Sequence, residues 1–138
     1  LSFILDASVA LAWCFEDEQT PAVLDLLDRL CETGASAPML WPLEVLNGLF
    51  AAERRRRLDA AKRATLSAFL RELPIRLDMQ TADHVWEETA TLAAAFRLTV
   101  YDAAYLELAQ RRRLPLASLD QDLRKAALSS GIQVLGQL

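Results

Sequence analysis

Four carboxylates stand where an apolar setting makes an acid conspicuous. Asp6 ends the run Phe3-Ile4-Leu5, and Asp120 ends the run Leu116-Ala117-Ser118-Leu119. Glu44 interrupts the segment Trp41-Pro42-Leu43-Glu44-Val45-Leu46-Asn47-Gly48-Leu49, and Asp102 follows Leu98-Thr99-Val100-Tyr101. A plainer role is open to each. Asp6, Asp102 and Asp120 also fit helix caps or acids that complement a helix dipole, and Glu44 fits a solvent-facing place in a first helical turn. Brought together, four carboxylates repel one another and hold their protons more tightly unless cations sit among them. Mg²⁺ and Mn²⁺ are the natural occupants, being hard ions that take oxygen ligands and keep several waters. Such a site suits phosphodiester hydrolysis, since a bound metal turns water into hydroxide and stabilises charge on the phosphate and the leaving oxygen. Asn47, one turn beyond Glu44, shares its helical face and could orient the carboxylate or touch a substrate.

Other chemistries lack residues. The chain has one histidine, His84, and two cysteines, Cys14 and Cys31, with no C-x-x-C pair. A zinc site of the usual kind needs more His and Cys than this. A Ser-His-Asp or Cys-His hydrolase would rest on His84 alone, which lies in an amphipathic helical stretch with no nucleophile motif nearby. The cysteines are expected to pack as small apolar side chains in a reducing compartment. A phospho-acceptor receiver is disfavoured as well: Asp6 stands alone, Asp78 lacks an apolar approach of the right length, and no Lys follows the last strand.

The elements that must position the acids alternate. Ser2 to Leu5 reads as a buried strand and Ala7 to Phe15 as a helix. Thr20-Pro21 opens a second helix, with Thr20 as N-cap, and Gly34 ends it. Ser36 to Met39 is a strand. Trp41-Pro42 starts a helix that runs to the arginine cluster Arg54 to Arg57, and Asp59 caps the next, which stops before Pro74. Ile75 to Leu77 is a strand and Thr81 to Phe96 a helix capped by Thr81. Asp102 starts a helix ending at Arg111 to Arg113. Pro115 to Leu119 is a fourth strand, Asp120 caps Gln121 to Leu128, and Ile132 to Leu135 closes the chain as a fifth strand. Strands separated by helices imply a parallel sheet covered on both faces. Asp6 and Asp120 would then leave the carboxyl ends of strands one and four, the edge where such sheets bind ligands.

The 138 residues fit one domain, with 53% hydrophobic and 25% charged residues, and no internal repeat or flexible linker is visible. No apolar run nears the roughly 20 residues of a membrane span, and the first residues show no basic lead or small-residue cleavage site. A cytoplasmic protein is expected. The net charge of −4, from 15 basic and 19 acidic residues, argues on its face against nucleic acid. It hides the clusters Arg54 to Arg57 and Arg111 to Arg113, whose expected role is to complement helix C-termini, with phosphate contact as the functional reading. Trp13, Trp41 and Trp86 are expected in the core, Trp41 and Trp86 alternatively at a dimer contact. Tyr101 and Tyr105 are expected to pack, with base stacking as the functional reading.

Four segments, in order, resemble the PIN-domain nucleases and specifically the VapC-like toxins of bacterial toxin–antitoxin pairs. They are Ile4-Leu5-Asp6-Ala7-Ser8-Val9, Pro42 to Leu49, Leu98 to Ala109, and Leu116 to Ala127. The resemblance runs the length of the chain and implies a single PIN domain over residues 1–138. Its fold would be α/β, a five-stranded parallel sheet in order 3-2-1-4-5 between helical layers. It implies that Asp6, Glu44, Asp102 and Asp120 form an acidic metal-binding cluster, with Asp122 as a further ligand or supporting acid. Ser8 and Ser118 fall where the family often carries a small hydroxyl, Ser118 standing where Thr is usual. The implied activity is Mg²⁺- or Mn²⁺-dependent endoribonuclease cleavage, with transfer RNA a frequent target. The implied partners are a VapB-like antitoxin that blocks the site, a second toxin chain in a homodimer, and DNA through the antitoxin. The competing function is a non-catalytic module of the same fold, acting in an antitoxin–DNA regulatory complex.

Overall fold

Five short parallel strands in the order β3-β2-β1-β4-β5 form the sheet of the computed structural model, which describes residues 2–136. They are β1 (Ile4–Leu5), β2 (Ala35–Pro38), β3 (Ile75–Asp78), β4 (Leu116–Ala117) and β5 (Val134–Leu135). Phe3, Ile4 and Leu5 are completely buried, as the middle strand of a sheet covered on both faces requires. Seven α-helices connect the strands: α1 (Ala7–Ala12), α2 (Pro21–Thr33), α3 (Trp41–Arg54), α4 (Ala60–Arg71), α5 (Ala90–Phe96), α6 (Val100–Arg112) and α7 (Gln121–Ser129). Helices α1 and α4 each pack on α3, and α5 and α7 pack on α6, which itself lies on β1, β2 and β4. The fold class and strand order are those expected. No helix among the described residues is long and apolar enough to cross a membrane.

Local chemistry explains most boundaries. Thr20 Oγ1 accepts from the Val23 amide and Pro21 takes the first helical position, so α2 starts there. It stops at Gly34, whose φ of 69° an L side chain rarely adopts. Asp59 caps α4 by accepting from the Lys62 amide. Gly48 has a different task. A Cβ there would stand 2.5 Å from a methyl of Leu11, so glycine lets α1 lie close against α3 one turn beyond Glu44.

Several expected elements differ. The first helix stops at Ala12 rather than Phe15, because Trp13 turns inward and its Nε1 donates to the Val23 carbonyl at 2.7 Å. The stretch 81–96 is not one helix. It is a 3₁₀ turn (Thr81–His84), a π turn (Val85–Thr89) and then α5. Thr81 does not cap it: its hydroxyl donates to Asp78 and accepts from the Met39 amide, tying the ends of β3 and β2 together. Trp86, on the π turn, is 88% exposed and not a core residue, whereas Trp41 is buried. Cys31 is exposed on α2, so it does not pack as an apolar side chain, and Cys14 is half-buried. The fourth strand is shorter than expected: beyond Ala117 the Ser118 hydroxyl donates to Asp6 and the Leu119 amide to Ser8 Oγ.

Candidate active site

Strand register builds the site first. Leu5 of β1 pairs with Ala117 of β4, and the Asp6 amide donates to the Ala117 carbonyl at 3.0 Å. The next residues along the two strands, Asp6 and Ser118, therefore leave the sheet side by side. Asp6 occupies the N-cap position of α1, yet its side chain makes no capping bond. It accepts instead from two hydroxyls, Ser8 Oγ at 2.6 Å and Ser118 Oγ at 2.8 Å, both on Oδ2. Each serine is in turn fixed by the loop after β4: Ser8 Oγ accepts from the Leu119 amide at 3.0 Å and Ser118 Oγ from the Asp120 amide at 3.1 Å. Among the described residues no bond falls on Asp6 Oδ1, which is not sealed in the core.

The other acids arrive from three helices. Glu44 sits in the first turn of α3, half-buried, with Oε1 accepting from Tyr105 Oη at 2.7 Å. Asp102 sits in the first turn of α6, but Thr99 is the cap there, its Oγ1 accepting from the Asp102 amide at 3.1 Å. The Asp102 carboxylate is thus not spent on capping. Asp120 does cap α7, Oδ1 accepting from the Leu123 amide at 2.9 Å. Asp122 follows in the first turn of α7 and is exposed. The plain capping reading therefore holds for Asp120 and fails for Asp6 and Asp102.

The carboxylates influence one another across the site. Burial raises Asp6 from an ordinary 3.8 to about 6, against the pull of Ser8 and Ser118, with Glu44 and Asp120 adding to the rise. Burial also takes Asp102 to about 6, helped by the charges of Asp120, Asp6 and Asp122 and opposed by Thr99. Glu44 is raised by burial, lowered by the Tyr105 hydrogen bond and raised again by Asp102. Among the described residues, no Lys, Arg or His forms an ion pair with any of these five acids. Nor do three His, Cys, Asp or Glu side chains of the described residues come close enough to hold a metal ion as they stand. The oxygens left over, Asp6 Oδ1 foremost, are hard donors. The donor set fits a divalent cation of the Mg²⁺ or Mn²⁺ kind.

Asn47 is exposed and makes no hydrogen bond to Glu44, so the structure does not join it to the acids. Tyr105, expected to pack or to stack on a base, is fully buried and contacts the site directly. Its hydroxyl is held well above the usual tyrosine value by burial, by the charges of Asp6 and Glu44 and by the bond to Glu44. The signal was its place three residues after Asp102, on the same helical face. Tyr101, by contrast, is 64% exposed.

The arginine clusters divide. Arg57 pairs with Asp17 and Glu18, each at 2.8 Å, and lies over the Phe15 ring. Arg111 is not simply a helix-end cation. It joins two buried acids, Asp78 at 2.6 Å and Glu107 at 2.7 Å, and His84 stands 3.8 Å from Glu107. Burial works to raise Asp78, but bonds from Arg111, Thr81 and the Gln80 amide take it down to about 2. A charged Glu107 inside the buried run Ala103 to Ala109 was the sequence signal for this network.

Comparison with known proteins gives one family. A family model described as PIN domain matches residues 3–128. No curated protein matches the chain. Among solved structures, PAE2754 from Pyrobaculum aerophilum aligns with a TM-score of 0.63 and 20% identity, over 91% of this chain and 84% of its own. FitAcB from Neisseria gonorrhoeae gives 0.67 and 17%, over 99% and 97%. VapBC2 from Rickettsia felis, bound to a DNA fragment from their promoter, gives 0.65 and 12%, over 97% of each chain. At such identities these likenesses show the fold.

Proposed function

The chain belongs to the PIN domain family, and from that premise we propose that it is a metal-dependent endoribonuclease of the VapC-like toxin kind, one domain over residues 1–138. PIN domains are generally nucleases. The observation that carries the reading is Asp6: a buried carboxylate at the carboxyl end of the central strand, held by two serine hydroxyls, facing further acids, with no basic partner among the described residues.

Asp6, Glu44, Asp102 and Asp120 would hold Mg²⁺ or Mn²⁺, with Asp122 in support. When bound, the cation supplies a water of lowered pKa and positive charge beside the scissile phosphate. The chain's own residues make that binding possible. Ser8 and Ser118 fix Asp6 by Oδ2 and leave Oδ1 open. Asp120 anchors α7 by Oδ1 and keeps Oδ2. Asp6 and Asp102, with values of about 6, are largely ionised at neutral pH, and ligation drives off the remaining protons.

The partners follow the same reading. RNA, transfer RNA included, is the substrate. A VapB-like antitoxin covers the acids, a second chain completes a homodimer, DNA is met through the antitoxin, and the setting is the cytoplasm. Likeness to chains of FitAcB and VapBC2 supports the antitoxin and DNA partners. The test is incubation of a total small-RNA pool with purified protein, with Mg²⁺ or Mn²⁺ or with chelator, beside Asp6→Ala. Discrete metal-dependent products that the variant does not give are expected. Full cleavage in chelator would remove the metal mechanism, and no cleavage by either protein would favour a module working only in its regulatory complex.

A further inference from the structure

We infer that Tyr105 is a positioning residue for the acidic site, its hydroxyl holding the Glu44 carboxylate so that its second oxygen faces the metal position. The inference rests on the nuclease reading above and deepens it. Tyr105 lies on α6 one turn beyond Asp102, with no exposed surface. Its hydroxyl donates to Glu44 Oε1 at 2.7 Å, across 61 residues of sequence. The Ala7 backbone, directly after Asp6, acts on that hydroxyl more weakly, lowering its pKa against the larger rise from burial. One phenol therefore joins the beginnings of two acid-bearing helices, α3 with Glu44 and its own α6 with Asp102.

Glu44 needs such a partner. The N-cap position of α3 is Leu40, which offers no side-chain cap, and no basic group among the described residues pairs with Glu44. A Glu side chain has several rotatable bonds, so without a tether both the position and the orientation of its carboxylate are open. The Tyr105 bond uses Oε1 and leaves Oε2. A rigid ring, locked by packing in the core, thereby fixes a flexible ligand, and outer partners of this kind tune how well metal ligands bind.

The test is Mn²⁺ titration of the intact protein by calorimetry, comparing wild type, Tyr105→Phe, Glu44→Ala and the double variant, with thermal unfolding in chelator alongside. Tyr105→Phe keeps the ring and removes the hydroxyl. It should weaken Mn²⁺ binding by about tenfold or more while the unfolding transition stays cooperative. In the Glu44→Ala background the same change should have no further effect, because Tyr105 acts through Glu44. A merely structural role would weaken binding equally in both backgrounds and would overturn the inference. So would wild-type affinity in Tyr105→Phe. Absence of Mn²⁺ binding by the wild type would overturn the metal reading and this inference with it, whereas tight wild-type binding with an unchanged Tyr105→Phe overturns this inference alone.

Discussion

Replacing Asp6 by Asn should make the metal-free protein more stable at neutral pH, and the gain should vanish in mild acid. Burial is the main reason that Asp6 sits at about 6 instead of 3.8, and the charges of Glu44 and Asp120 add to it. The unfolded chain releases this proton near 3.8, while the folded chain keeps it to about 6. Below the lower value both states are protonated and Asp6 costs nothing. Through the window between them only the unfolded state ionises, so stability falls as pH rises, and above it the cost is constant. At about 1.4 kcal/mol for each pH unit, the gap between 3.8 and about 6 amounts to about 3 kcal/mol. Asn carries no charge and still offers an oxygen to Ser8 and Ser118. Urea unfolding of both proteins in chelator should therefore separate their midpoints at about pH 7.5 and bring them together at about pH 4. Added Mn²⁺ should raise the wild type and leave Asp6→Asn behind. A variant no more stable than wild type at neutral pH, or one whose gain is as large in acid, would refute the claim that this carboxylate is held in place at a cost.

Two further outcomes follow from the hydrogen bonds. Ser118→Ala removes one of the two donors to Asp6 and leaves the Asp120 amide without its acceptor; it should cost about 1–3 kcal/mol in urea unfolding and reduce RNA cleavage, and wild-type behaviour in both assays would show the serine to be idle. Arg111→Ala strips the nearest cation from buried Asp78 and Glu107, leaving Asp78 with Arg112 at 3.4 Å, and should cost up to about 3–5 kcal/mol at neutral pH. Because Asp78 is held down to about 2, its stabilisation is present above 3.8 and is lost as pH falls towards 2. The gap between Arg111→Ala and wild type should narrow over that acid range, and a gap that does not change with pH would point to lost packing instead.

The sequence made the strands, the acids and their edge legible because these rest on local signals. An apolar run that stops at an acid, a Thr-Pro pair, or a glycine after a helical face each has a short-range cause. What it hid depends on contacts far apart in the chain. Thr81 looked like a helix cap because Thr caps helices, yet its hydroxyl serves the Met39 amide, 42 residues away. Asp102 looked like a cap until Thr99 took that place. Tyr105 looked like packing and does pack, but its hydroxyl finds Glu44 only once α3 and α6 meet the same edge. Trp86 shows the reverse case: of the two places expected for it, core or dimer contact, the core is excluded because the π turn leaves it in solvent.

Asp6 and Asp78 together separate a working acid from a structural one. Both lie at the carboxyl end of a strand, both are buried, and both accept from hydroxyls. At Asp78 the fold brings Arg111 and Arg112 to the carboxylate, and its value falls. At Asp6 it brings only neutral hydroxyls, surrounds them with other acids, and the value rises. The arginines that neutralise Asp78 of β3 stand at the end of α6, the helix that also carries Asp102. That no basic group among the described residues pairs with the Asp6 carboxylate is therefore not a shortage of cations. A buried carboxylate kept at a cost of stability, with its geometry fixed by neutral donors alone, is what a site needs if the missing positive charge is to come from outside the chain.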